Sequence, residues 1–172
     1  MRRAMPLRLG VAVGAAAFAL MACRPLPDAQ SRRLENEMPR SAAEEGSWFI
    51  RTDFSTQSAW LSTLEAVVAR HGIFKGAFHV VDDPAYAGAT PEEIVERLGP
   101  GFEQTFIFVA DSTTFSHPDR PVLVVDLREG SLEEFRAIPS EIAAIQINLA
   151  IANMDFEEFA GAADPDGIFR GF

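Results

Sequence analysis

The chain has 172 residues, 48% of them hydrophobic with 14 phenylalanines, and carries a formal net charge of -10. That length suits one domain of ordinary size plus extras, and that apolar content excludes global disorder. Residues 1–22 hold Arg2, Arg3 and Arg8 and no acid, which leaves 12 basic against 25 acidic residues in the remainder. A surface so negative repels nucleic acid and anionic headgroups, and favours cations, basic partners or plain solubility. One cysteine gives neither a disulfide framework nor a cysteine-based zinc site.

Residues 1–8 are short and basic, residues 9–22 are apolar and alanine-rich, and Cys23 follows at once. This is the layout of a secretory signal, with an apolar run too short to span a bilayer comfortably. Leu20-Met21-Ala22-Cys23 resembles the lipobox of bacterial lipoproteins, in which the cysteine becomes the lipidated first residue. The expectation is a signal peptide over 1–22, lipidation at Cys23, and a cell-envelope location with membrane contact through the lipid alone. Two other readings stay open: cleavage at Ala17-Phe18-Ala19 as a plain secretory signal, or a true start at Met38, which would leave the protein in the cytoplasm. Residues 23–46, with Pro25, Pro27, Pro39, serines and alternating charges, read as a flexible linker.

The globular part is expected over residues 47–172. Trp48-Phe49-Ile50-Arg51-Thr52 reads as a strand stopping at Asp53, with Ser55 as N-cap of the next helix. In that helix Trp60, Leu61, Leu64, Val67 and Val68 recur at helical spacing, and Arg70-His71-Gly72 closes it. Residues 77–81 form the second strand. Thr90-Pro91-Glu92-Glu93 is a capping box opening a helix to about Leu98. Residues 104–110 make the third strand, ending at Asp111. Two successive strand–helix–strand units predict parallel pairing of these three strands with right-handed crossovers.

Only residues 111–120, read as a loop without a helix, lead to the fourth strand, Pro121-Val122-Leu123-Val124-Val125-Asp126-Leu127. Its apolar run predicts burial on both faces, and so short a link predicts antiparallel pairing with the third strand. Asp126 then falls at the opposite edge from Asp111. Beyond it, Ser131 to Glu134 reads as the cap of a short helix, while residues 135–138 are equally compatible with a strand. Residues 140–145 suggest a helical turn or two. Ile147, Leu149 and Ile151 alternate with Asn148 and Ala150, which predicts a strand. Asp155 caps a helix through Ala163, Asp164-Pro165-Asp166-Gly167 is a turn, and residues 168–172 read as an edge strand. The fold class is α/β or α+β, a single domain with a mixed sheet of five to six strands flanked by helices.

The segments WFIRTDFS, LVVDL, FRAIPSEI, NLAIANMDFEEFA and GIFRGF resemble a bacterial family of unknown function, the domain numbered 6924, over about Trp48 to Phe172. The resemblance implies no activity, substrate or catalytic residue.

Acids at strand ends are the sharpest chemical pattern: Asp53, Asp82, Asp83, Asp111 and Asp126. Ligands bind at the carboxyl edge of parallel strands, and converging aspartates there can hold Mg²⁺ for phosphoryl chemistry. Aspartate is equally a routine turn and cap residue after a strand. His71, His79 and His117 are not paired at ligand spacing, so no zinc site is expected. The hydroxyls of Ser112, Thr113 and Thr114 lack a nucleophile elbow, and Gly99-Pro100-Gly101 is no phosphate loop. The Asp164 to Gly167 turn lacks the closing glutamate of a calcium loop. Phe169 and Phe172 beside Arg170 suggest a docking strip for a partner strand, or else a tuck beneath the last helix. The expected function is therefore a non-catalytic binding or interaction module, without cofactor, that takes an unidentified protein partner. The rival is a metal-dependent hydrolase using Asp53, Asp83 and Asp111.

Overall fold

The computed structural model describes residues 46–172. The leader, Cys23, Met38 and nearly all of the linker lie outside the described residues. Six strands form one sheet in the order β2-β1-β3-β4-β5-β6. They are β1 (Ser47–Arg51), β2 (Phe78–Val81), β3 (Phe106–Ala110), β4 (Val122–Asp126), β5 (Glu134–Ala137) and β6 (Ile168–Phe169). The helices are α1 (Gln57–Val68), α2 (Pro91–Leu98), α3 (Ser112–Ser116), α4 (Ile142–Ala150) and α5 (Phe156–Gly161). The sheet is mixed, as the sequence predicts: β1 is parallel to β2 and β3, β4 is antiparallel to both neighbours, and β5 is parallel to β6.

Strand alternation sorts the core into two layers. Phe49, Phe106, Phe108, Val122, Val124 and Phe135 face one side, where Trp60 and Val67 of α1, Ile142 and Ile145 of α4, and Phe156 and Phe159 of α5 cover them. Ile50, Ile107, Val109, Leu123 and Val125 face the other, under Ile94 and Leu98 of α2. Each large side chain buried there is worth about 1.5–3 kcal/mol of transfer free energy. Among the described residues four helices crowd the first face and α2 alone packs on the second. The α2 face is therefore the less covered one over β4 and β5, where Glu134 and Arg136 sit.

Local chemistry explains most boundaries. The capping box at Thr90 forms in full: its hydroxyl accepts from the Glu93 amide at 3.3 Å, and the Glu93 carboxylate accepts from the Thr90 amide at 3.2 Å. The α1 N-cap is Thr56, one residue beyond the expected Ser55. His71 closes that helix, its ring nitrogen 2.8 Å from the Ala66 carbonyl oxygen.

Three further expectations fail. Residues 111–120 contain α3, capped by Asp111, although the antiparallel pairing drawn from their length holds. The last strand is two residues long and stops before Arg170, whose side chain pairs with Asp119, Asp164 and Asp166. The alternation of Ile147, Leu149 and Ile151 lies within and just after α4, not in a strand. There Ile142, Ala143, Ile145 and Gln146 are buried. That helical spacing is locked by Gln146, whose amide donates to the Ser47 hydroxyl and accepts from the Ala77 N–H, each at 3.2 Å. Of the two readings near residue 135, the strand is the one adopted.

Candidate functional site

Strands β1, β2, β3, β5 and β6 all run toward one edge of the sheet, and β4 starts there. Asp53, Asp82, Asp83 and Asp111 follow the ends of β1, β2 and β3 at that edge, whereas Asp126 lies at the opposite one. A cleft of about 550 Å³ opens at the carboxyl edge on the α2 face. Its floor is Val109, Leu123 and Arg136; its rim carries Asp53, Phe54, Thr90, Asp111, Ser112 and Glu134. One wall is the segment leading into α2, tied to β1 by the Gly88 N–H, which donates to the Thr52 carbonyl at 2.8 Å.

Arg136 spans the cleft floor. Its guanidinium donates to both oxygens of Asp111, at 2.6 and 3.1 Å, and to the Pro121 carbonyl at 3.3 Å. Asp111 also accepts from the Thr114 amide at 2.9 Å and so caps α3. Burial acts to raise the Asp111 carboxyl. The Arg136 and Thr114 hydrogen bonds and the Arg136 charge outweigh it and hold the carboxyl below its usual range. Glu134, two residues along β5, behaves in the opposite way. Burial pushes its carboxyl up, and the negative charges of Glu92 and Asp111 add to this against the pull of Arg136. The cleft thus holds three carboxylates against one guanidinium, and that guanidinium is already engaged.

Of the three acids expected together, Asp53 and Asp111 share this cleft and Asp83 does not line it. Asp53 accepts from the Ser55 amide at 2.7 Å, and Asp83 accepts from the Ala85 amide at 2.9 Å as the cap of a short 3₁₀ turn. Among the described residues no three His, Cys, Asp or Glu side chains cluster closely enough to hold a metal ion. Asp82 belongs to a separate network. It accepts from buried Arg51 and from the Trp60 indole, each at 3.1 Å. Arg51 also reaches Gln57 at 2.7 Å and lies 4.4 Å from the centre of the Phe54 ring, which forms part of the cleft rim.

Residues 46–172 match the family described as Domain of unknown function (DUF6924). The chain belongs to that family. A search among curated proteins finds no match. The remaining candidates, His79, His117, Asp126, Phe169, Arg170 and Phe172, lie outside the cleft. His79 lies against Trp48, with ring centres 4.6 Å apart, and His117 accepts from the Asp119 amide at 3.1 Å. Asp126 is buried at the far edge and bound by Arg128 at 3.0 Å. Phe169 is buried, with its ring 5.5 Å from that of Phe159. Arg170 gathers Asp119, Asp164 and Asp166 at 2.7–2.8 Å. Phe172 is 82% exposed, with one face against Phe169. So the three residues of the expected docking strip divide among the core, an ion-pair cluster and the surface.

The sequence reading missed Arg51 and Arg136. A charged residue inside a short strand was the available signal in both, since an arginine drawn wholly or partly out of water must find carboxylates to satisfy its fork.

Proposed function

We propose that this DUF6924 domain is a non-catalytic binding module whose carboxyl-edge cleft receives a cationic group, such as a basic side chain of a protein partner. The observation that carries this reading is the bidentate Arg136–Asp111 pair on the cleft floor. It commits the arginine of the cleft and one of the carboxylates to each other, and leaves Asp53 and Glu134 as the acidic groups beside the apolar part of the floor, Val109 and Leu123. A ligand with an aliphatic stem and a positive head matches that arrangement, because the stem covers Val109 and Leu123 while the head meets the carboxylates. The expectation from the leader adds a place for this activity: a domain held at the cell envelope by lipid on Cys23.

Calorimetric titration with a short lysine-rich peptide tests the cleft. Binding should weaken as salt rises and should fall several-fold in Glu134→Gln and in Asp53→Asn. The reading fails if the peptide gives no heat. It also fails if Mn²⁺ raises the melting temperature and Asp53→Asn abolishes that rise, the signature of the hydrolase alternative. Intact mass measurement of membrane and soluble fractions tests the tether: an acylated species beginning at Cys23 supports it, and an unmodified species beginning at Met38 refutes it.

A further inference from the structure

The edge strand β2 is unusually open. Among the described residues it stands at the end of the sheet with β1 as its one neighbour. The register sets Ser47 beside Phe78, and the Ser47 amide donates to the Ala77 carbonyl at 2.9 Å. In a parallel ladder this phase turns the N–H and C=O groups of Ala77, His79 and Val81 toward β1, and those of Phe78 and Val80 away from it. Among the described residues no hydrogen bond engages the outward groups. Natural edges are blunted by shortness, proline, lysine or a bulge. The other edge, β6, is only two residues long. Phe-His-Val-Val is twice that length and contains no proline or lysine.

The apolar surface beside this edge points the same way. Of the seven large hydrophobic residues exposed among the described residues, four lie on α1, on β2 or between them: Leu61 at 54%, Val68 at 42%, Ile73 and Val80. Val80 shares the α1 face of the sheet with Phe78, since side chains two apart point to one face. Leu61 and Val68 lie along one flank of α1. The opposite flank carries Ser62, which bonds Arg120 just before β4, so the apolar flank turns toward β2.

We propose that the chain forms a two-fold dimer through antiparallel pairing of β2 with β2 of a second copy. The outward groups require Phe78 and Val80 to pair with each other or with themselves. The register that sets Phe78 opposite Val80 also sets Lys75 opposite Asp83, once at each end. Both residues are exposed, Lys75 makes no ion pair among the described residues, and opposite charges facing each other across strands stabilise a pairing. A two-fold axis normal to the sheet brings both copies of α1 to the same side. Their Leu61–Val68 flanks then close over the cross-strand Val80–Phe78 pairs, and one sheet runs through both copies. Long-range repulsion between two acidic chains is screened beyond about 8 Å at physiological ionic strength.

Sedimentation velocity on the full chain across a concentration series decides this, with circular dichroism confirming that each variant is folded. The expected result is a concentration-dependent monomer–dimer equilibrium. Val80→Lys should weaken it at least tenfold, since the substitution enters twice. Lys75→Asp should weaken it too, and adding Asp83→Lys to that variant should restore it. A chain monomeric at every concentration overturns the proposal. So does a dimer that Val80→Lys leaves intact, and failure of the double variant to recover overturns the antiparallel register.

Discussion

Asp111 joins a helix cap to an ion pair, and the two contributions separate experimentally. Asp111→Asn keeps a good N-cap for α3 but removes the charge facing Arg136; Asp111→Ala removes both. Both partners of the pair are 23% exposed. Its loss therefore lies between that of an exposed pair, about 0–1 kcal/mol, and that of a broken buried one, about 3–5 kcal/mol. We expect about 1–2 kcal/mol for Asp111→Asn, and about 1 kcal/mol more for Asp111→Ala from the lost cap. For a domain of this size each kcal/mol lowers the melting temperature by on the order of 3–5 °C.

The pH dependence supplies the sharper test. The folded Asp111 carboxyl titrates below its ordinary value, so its stabilisation is fully present above the unfolded pKa of about 3.9. It is lost as pH falls through the lower folded value. Urea unfolding of the native chain and of Asp111→Asn should show the full gap at neutral pH, closing below about pH 4. A gap that stays constant into acid would show that the asparagine acts by shape and not by charge. Equal stability at neutral pH would refute the ion-pair argument altogether.

Asp166 is held at about 2, chiefly by its hydrogen bond from Arg170. Carbon-detected titration of its carboxyl should find that low midpoint, and Arg170→Gln should return it toward the usual aspartate range. At Gly46 the backbone has a φ of +75°, and an added Cβ would lie 2.7 Å from the Ala77 carbonyl carbon. Gly46→Ala should therefore destabilise the start of β1 by about 1–3 kcal/mol, read as a lower urea midpoint; an unchanged midpoint would show that this turn relaxes freely.

Sequence alone determined the first half of the domain and its family. Apolar periodicity, the capping box at Thr90 and the acid-terminated strands act over a few residues, so β1, α1, β2, α2 and β3 were legible along the chain. The short link from Asp111 to Arg120 was enough to reverse β4 and to send Asp126 to the far edge. Tertiary structure decided the rest. The alternation at Ile147, Leu149 and Ile151 gave way to a helix because Gln146 reaches back to Ser47 and Ala77, contacts that no local pattern encodes. The same holds for the cleft. Arg136 meets Asp111 only because the sheet carries β5 beside β4 and β4 beside β3, across 25 residues of chain. Local propensity is set by neighbours in sequence, whereas a buried charge is placed by whichever opposite charge the sheet register brings within a hydrogen bond's length.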